Sequence, residues 1–103
     1  MPNIQYFTPD VSQGVSAGPT AAAFAIPNAS DSLLYIFNLG PSHIFFKLGV
    51  GGPASISGLT SASGCPVLAG QALIVGIGAN DHIGLINTGG QGGFATVNLT
   101  SGN

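Results

Sequence analysis

Asp81 and His82 stand side by side, and His43, Cys65, Lys47, Asp10 and Asp31 are scattered elsewhere along the chain. Nucleophilic catalysis needs an activated Ser or Cys, a base within hydrogen-bond reach and a group that orients the base. No Gly-x-Ser-x-Gly elbow supplies the nucleophile. If Asp81 and His82 both lie in a strand, alternation sends them to opposite faces. Catalysis is therefore not expected, and His43 and His82 read as surface or turn-edge histidines.

Metal chemistry is equally hard to build. The chain has no Cys-x-x-Cys, no His-x-His and no Glu, so neither a zinc site nor a carboxylate-rich cation loop is expected. No cofactor is expected either. The stretch Gly76-Ile77-Gly78-Ala79-Asn80-Asp81 has the look of a dinucleotide loop but lacks its third Gly. The residues after it read as strand, where that motif requires a helix. Aromatic side chains are better candidates for contact: Tyr6, Phe7, Phe24, Phe45 and Phe94, with Lys47, form the expected interface set. Trp is absent, which leaves a sugar-stacking platform unsupported.

The elements that must position these residues follow from composition. At 103 residues the chain reads as one domain, long enough to bury a core. Its 17 Gly and 7 Pro exclude long helices, since each costs about 1 and about 3 kcal/mol inside one. With 45% hydrophobic residues it is too apolar for a disordered linker. Charged residues make up only 4%, against roughly a quarter in an ordinary soluble domain. A single Lys cannot grip phosphates, so nucleic acid and acidic membrane surfaces are not expected partners. Cys65 is the only cysteine and reads as a small buried hydrophobe; no disulfide can form within the chain. The first residues lack the pattern of a signal peptide. The longest apolar stretch, Pro66 to Ala79, is about 14 residues, short of the roughly 20 that a bilayer demands. The chain is expected to be soluble and made in a cytoplasm.

Strands are predicted at Ile4 to Thr8, Ala21 to Ile26, Ser32 to Asn38, His43 to Val50, Cys65 to Leu68, Ala72 to Ile77, His82 to Asn87 and Phe94 to Thr100. A hairpin is the simplest pairing for the strands on either side of Leu39-Gly40-Pro41-Ser42. In the second of them Ile44, Phe46 and Leu48 should share one face, and Phe45 and Lys47 the other. Val11 to Thr20 reads as a flexible connection, and Gly51 to Gly64 as a long loose loop. The organisation is thus an N-terminal strand and extended arm over 1–20, then a single β-sandwich domain over 21–103. The fold class is all-β, an antiparallel sandwich or jelly-roll-like barrel of about seven or eight short strands.

Several predicted strands are apolar on both sides. Leu33/Tyr35/Phe37 oppose Leu34/Ile36, and Ala72/Ile74 oppose Leu73/Val75/Ile77. A small two-sheet sandwich has one interior, so the second apolar face must be covered by the arm, by a neighbouring subunit or by a larger particle. With so few charges, a lone monomer is not expected.

The run Leu34-Tyr35-Ile36-Phe37-Asn38-Leu39-Gly40-Pro41-Ser42-His43-Ile44-Phe45-Phe46-Lys47-Leu48-Gly49, the step Pro66-Val67-Leu68-Ala69-Gly70 and the segment from His82 to Gly93 resemble small tailed-bacteriophage virion accessory proteins. The resemblance covers roughly residues 30–100. The chain departs from that pattern in its low charge and its Gly89 to Gly93 cluster. The likeness implies a head decoration or cement-like subunit, found in the virion and partnered by itself (a trimer is expected) and by the major capsid or another virion protein. It carries no site residues across. Two other readings stand beside it. One is a receptor- or carbohydrate-binding module of a fibre or tail, contacting through Gly51 to Gly64 and Thr88 to Gly93; the other is a self-assembling coat subunit.

Overall fold

The structure, a computed structural model, describes residues 7–60, 63–87 and 94–103. These residues form eight strands and one short helix: β1 (Pro9–Ala17), β2 (Ala22–Ala25), β3 (Leu33–Pro41), β4 (Ile44–Gly49), α1 (Gly52–Ile56), β5 (Cys65–Val67), β6 (Ala72–Gly76), β7 (His82–Asn87) and β8 (Ala95–Gly102). The first sheet has the order β1-β8-β3-β6 and the second β2-β7-β4-β5. Every pairing is antiparallel, and β1 with β8, β2 with β7, β3 with β6 and β4 with β5 pair along one folded ribbon. This is the strand order of an eight-stranded jelly roll.

Alternation makes the core. Leu34 and Ile36 of β3, Ile44 and Phe46 of β4, Ile83 and Leu85 of β7, and Ala95, Val97 and Leu99 of β8 meet between the sheets, all buried. Lys47 is exposed and Phe45 half-buried on the other side of β4, as period-two spacing requires.

β3 and β4 do not form a hairpin; they lie in different sheets. Asn38 redirects the chain between them. Buried, it accepts the Gly40 N–H on Oδ1 at 2.8 Å and donates through Nδ2 to the carbonyls of Ser42 (2.8 Å) and Val67 (2.9 Å). Gly40 sits at φ 84°, a conformation that suits glycine. One amide thus fixes the corner and binds it to β5 of the opposite sheet. Asn87 makes a second tie between sheets, donating from Nδ2 to the Ala17 carbonyl at 3.0 Å.

Residues 11–20 are mostly strand, where the sequence suggested a flexible arm. β1 is in unbroken register with β8 from Val11 to Ala17, and Val15 and Ala17 enter the core opposite Val97 and Ala95. Small polar residues hide the pattern there, because only those two inward positions are buried. Truncating residues 1–20 would therefore remove a strand of the domain. The expected strand at Ile4 to Thr8 falls mostly outside the described residues. Cys65 is exposed instead of buried, because three-residue β5 is a sheet edge with no neighbour beyond it.

Candidate functional site

The sandwich has two outer faces, and contact surfaces must be sought there. On the second sheet the outward positions of β4 and β7 are Phe45, Lys47, Gly49, Gly84 and Ile86. Of the Gly51 to Gly64 segment, the described residues 51–60, 63 and 64 are folded onto this face and do not form a loose loop. α1 rests on Gly84 and Gly49, with Pro53 in its first turn and Ser55 buried beneath it. A Cβ on Gly84 would overlap the Ser55 carbonyl oxygen and lie 2.7 Å from its carbon; one on Gly49 would lie 2.6 Å from the Ser55 nitrogen. The Lys47 ammonium donates to the Ser57 carbonyl at 2.7 Å. Leu59 is buried, and Gly64 lies so close to Phe45 that a Cβ there would be 2.7 Å from that of Phe45. The chain covers this face itself.

The Asp81–His82 pair serves the same cover. Asp81 precedes β7 and is not part of it, so the two side chains meet where strand alternation would separate them. His82 Nδ1 is 2.7 Å from Asp81 Oδ1, which also accepts the Gly51 N–H at 2.8 Å. The His82 hydrogen bond and then the Gly51 amide hold the Asp81 carboxyl below the usual carboxylate range. His43 is exposed and accepts the Ala69 N–H on Nδ1 at 2.9 Å. Among the described residues no group of three His, Cys, Asp or Glu is placed to hold a metal ion, and no pocket is found.

The outer face of the first sheet is divided. On β1 and β8 it is polar: Ser12, Ser16, Thr96, Asn98 and Thr100. Ser12 Oγ lies 2.8 Å from Thr100 Oγ1, which donates to Asn98 Oδ1 at 2.7 Å. On β3 and β6 the same face is apolar, with Tyr35 opposite Ile74 and Phe37 opposite Ala72. Among the described residues only one end is covered. Thr8 pairs with Asn103, and a Cβ on Gly102 would overlap the Thr8 carbonyl oxygen. Phe7 stacks on Tyr35 with ring centroids 5.9 Å apart, and Tyr35 meets Phe37 edge-on at 6.3 Å. Beyond them Ile74 is 42% exposed and Leu39 56%; Leu73, on the core side of β6 opposite Ile36, is 37% exposed at the sheet edge.

The four charged side chains are all engaged elsewhere. Asp10 accepts from Asn28 at 2.9 Å and Asp31 from Asn103 at 3.1 Å; Lys47 and Asp81 hold the cover of the second sheet. None stands on β3 or β6.

The expected interface residues are therefore spread over the molecule. Phe7 lies on the first sheet's outer face, Phe45 and Lys47 on the second's, and Phe24 packs against the core from β2. Phe94 is half-exposed just before β8, and Tyr6 lies outside the described residues. The outer-face residues missing from that set are Tyr35, Phe37 and Ile74. Their signal was present as the two-sided apolar pattern of β3 and β6, which did not say which of the two faces would be the interior. No helix among the described residues is long and apolar enough to cross a membrane. In comparisons with protein families, curated proteins and solved structures, the chain matches none of them.

Proposed function

We propose that this chain is a structural subunit of a viral particle, a capsid decoration or cement protein that works by passive multivalent contact and without catalysis. The observation that carries the reading is the apolar half of the first sheet's outer face, which no described residue covers, on a chain whose every charge is tied into its own structure. Burial of apolar surface contributes about 25 cal/mol per Å², and repeated attachment across a symmetric shell adds avidity without new chemistry. The resemblance of residues 30–100 to phage accessory proteins supports the same reading, and the jelly roll is a scaffold found in viral capsids. It is also found in lectins, so the fold alone does not separate this reading from the carbohydrate-binding alternative. Of the loops that alternative would use, the described part of Gly51 to Gly64 is held against the second sheet and Thr88 to Gly93 lies outside the described residues.

Co-sedimentation of the purified protein with empty heads of the encoding virus tests the proposal. Saturable binding at a fixed ratio to the major capsid protein, with heads that resist heat better when coated, is the expected result. Binding to glycans and not to heads would replace it with the receptor reading. Polymerisation of the protein alone would favour a coat subunit.

A further inference from the structure

Open sheet edges invite pairing with another chain, and proteins blunt them with proline, charge, bulges, shortness or a covering element. Four strands of this sandwich are edges: β1, β2, β5 and β6. β1 begins at Pro9-Asp10 and has a register shift between Pro9 and Val11. β2 has four residues between Pro19 and Pro27, and Gly52 of α1 stands close to its Ala23. β5 has three residues, one of them Pro66. Among the described residues β6 has none of these devices. Its sequence, Ala72-Leu73-Ile74-Val75-Gly76, is an apolar run in unbroken register with β3, free of charge and of proline, and exposed at all but one position.

We infer that β6 is the self-association edge of this protein, pairing antiparallel with β6 of a second copy about a two-fold axis. A strand is the mate that the backbone can take: along a free edge, alternate residues present N–H and C=O groups outward. The copy itself is the occupant that the side chains favour. A charged partner would find no ionic handle on β3 or β6, whereas two uncharged apolar strands meet without repulsion and bring Leu73, Ile74 and Val75 into cross-strand contact. A two-fold contact also closes on itself, because each copy offers the same patch. A ring of three by sheet extension would instead need β6 to pair with the β1 edge of the next copy, where Pro9, Asp10 and the register shift oppose it. Tyr35 and Phe37, one strand in from Ile74, would extend the apolar contact beyond the ladder. The interface deepens the oligomeric part of the proposed function but stands apart from attachment to a particle.

Light scattering of the whole chain from micromolar to millimolar concentration tests this. The expected result is a mass that rises to twice that of one chain. Ile74→Lys and Ala72→Lys, each at an exposed position, should return the protein to a single copy with unchanged far-UV circular dichroism. Ser12→Lys, on the polar half of the same sheet face, should leave the doubled mass in place. Hydrogen exchange should show protection in β6 that grows with concentration. A single-copy mass at millimolar strength overturns the inference, as does a doubled mass that survives both lysines. Concentration-independent protection of β6 in a monomer would mean that the chain covers the edge itself, and a threefold mass lost in Ser12→Lys would move the contact to β1; either overturns it. Head binding is measured separately. A wild-type monomer that still binds heads sinks this interface and leaves the decoration reading intact; a dimer that binds no heads does the reverse.

Discussion

On the second sheet, Gly84 and Gly49 leave room for α1, and residues 51–60 close over the outer face. On the first sheet, Gly14 and Gly76 occupy comparable outward positions in β1 and β6, and a Cβ at either would meet nothing within 4 Å. The two faces lie on one small sandwich, yet among the described residues one is covered by its own chain and the other only at the corner where Thr8 and Phe7 cross Gly102. The difference teaches where this protein can have partners. Glycine under a covering element is there because a methyl group would not fit; glycine on an open face has no such reason.

The largest expected effect breaks that contrast directly. Gly84→Ala places a methyl group against the Ser55 backbone, and overpacking of this kind costs roughly 1–3 kcal/mol, occasionally more. Chemical denaturation should show a loss at the upper end of that range, or α1 should detach and expose Leu59 to limited proteolysis. Gly14→Ala is the matched control and should change stability by less than about 1 kcal/mol, in either direction. Equal losses from both substitutions would mean that the faces do not differ.

A smaller effect tests the one covered corner of the first sheet. Phe7→Ala removes the stack on Tyr35, and an aromatic pair is worth about 0.5–1.5 kcal/mol beyond its buried area. A loss of about 1 kcal/mol is expected, with Tyr35 fluorescence shifted toward that of a solvated phenol. On the second sheet, Lys47→Met removes an exposed bond to the Ser57 carbonyl while keeping most of the apolar stem. About 0.5 kcal/mol or less should be lost, since exposed charges contribute little.

The smallest effect is a pH dependence. The folded Asp81 carboxyl is held below its ordinary value of 3.8 by His82 and by the Gly51 amide. A carboxylate with a lowered pKa stabilises the fold above its unfolded value, and that contribution is lost as pH falls through the folded one. Melting temperatures of the wild type and Asp81→Asn should therefore differ near neutrality and converge below about pH 4. A difference that persists unchanged at low pH would remove the Asp81 charge from the account of the cover.

Much of this architecture can be read from residues. Six of the eight strands fall where β-branched and aromatic runs meet Gly, Pro and Asn turns, and β2 lies inside the ambiguous Ala21 to Ile26 segment. β1 escaped notice because Ser12, Gln13, Gly14 and Ser16 carry no apolar alternation; it is a strand because β8 offers it a ladder. The Asp81–His82 contact escaped too: the strand was expected to start at His82, as it does, but the alternation rule says nothing of a side chain just before it. α1 was hidden by proline and glycine, and its short helix is held by the sheet beneath it.

The sequence by itself determined the all-β class, the inward and outward sets of β3, β4 and β8, the shortage of charge and the presence of more apolar face than one interior can use. These are local properties, set by alternation, turn chemistry and composition. The tertiary structure alone decided which apolar face is covered and by what. That answer depends on Asn38 sending β4 into the opposite sheet, on Ser55 arriving above Gly84, and on β6 being left as an edge. Each is a meeting of residues far apart along the chain, and no local pattern encodes the distance between them.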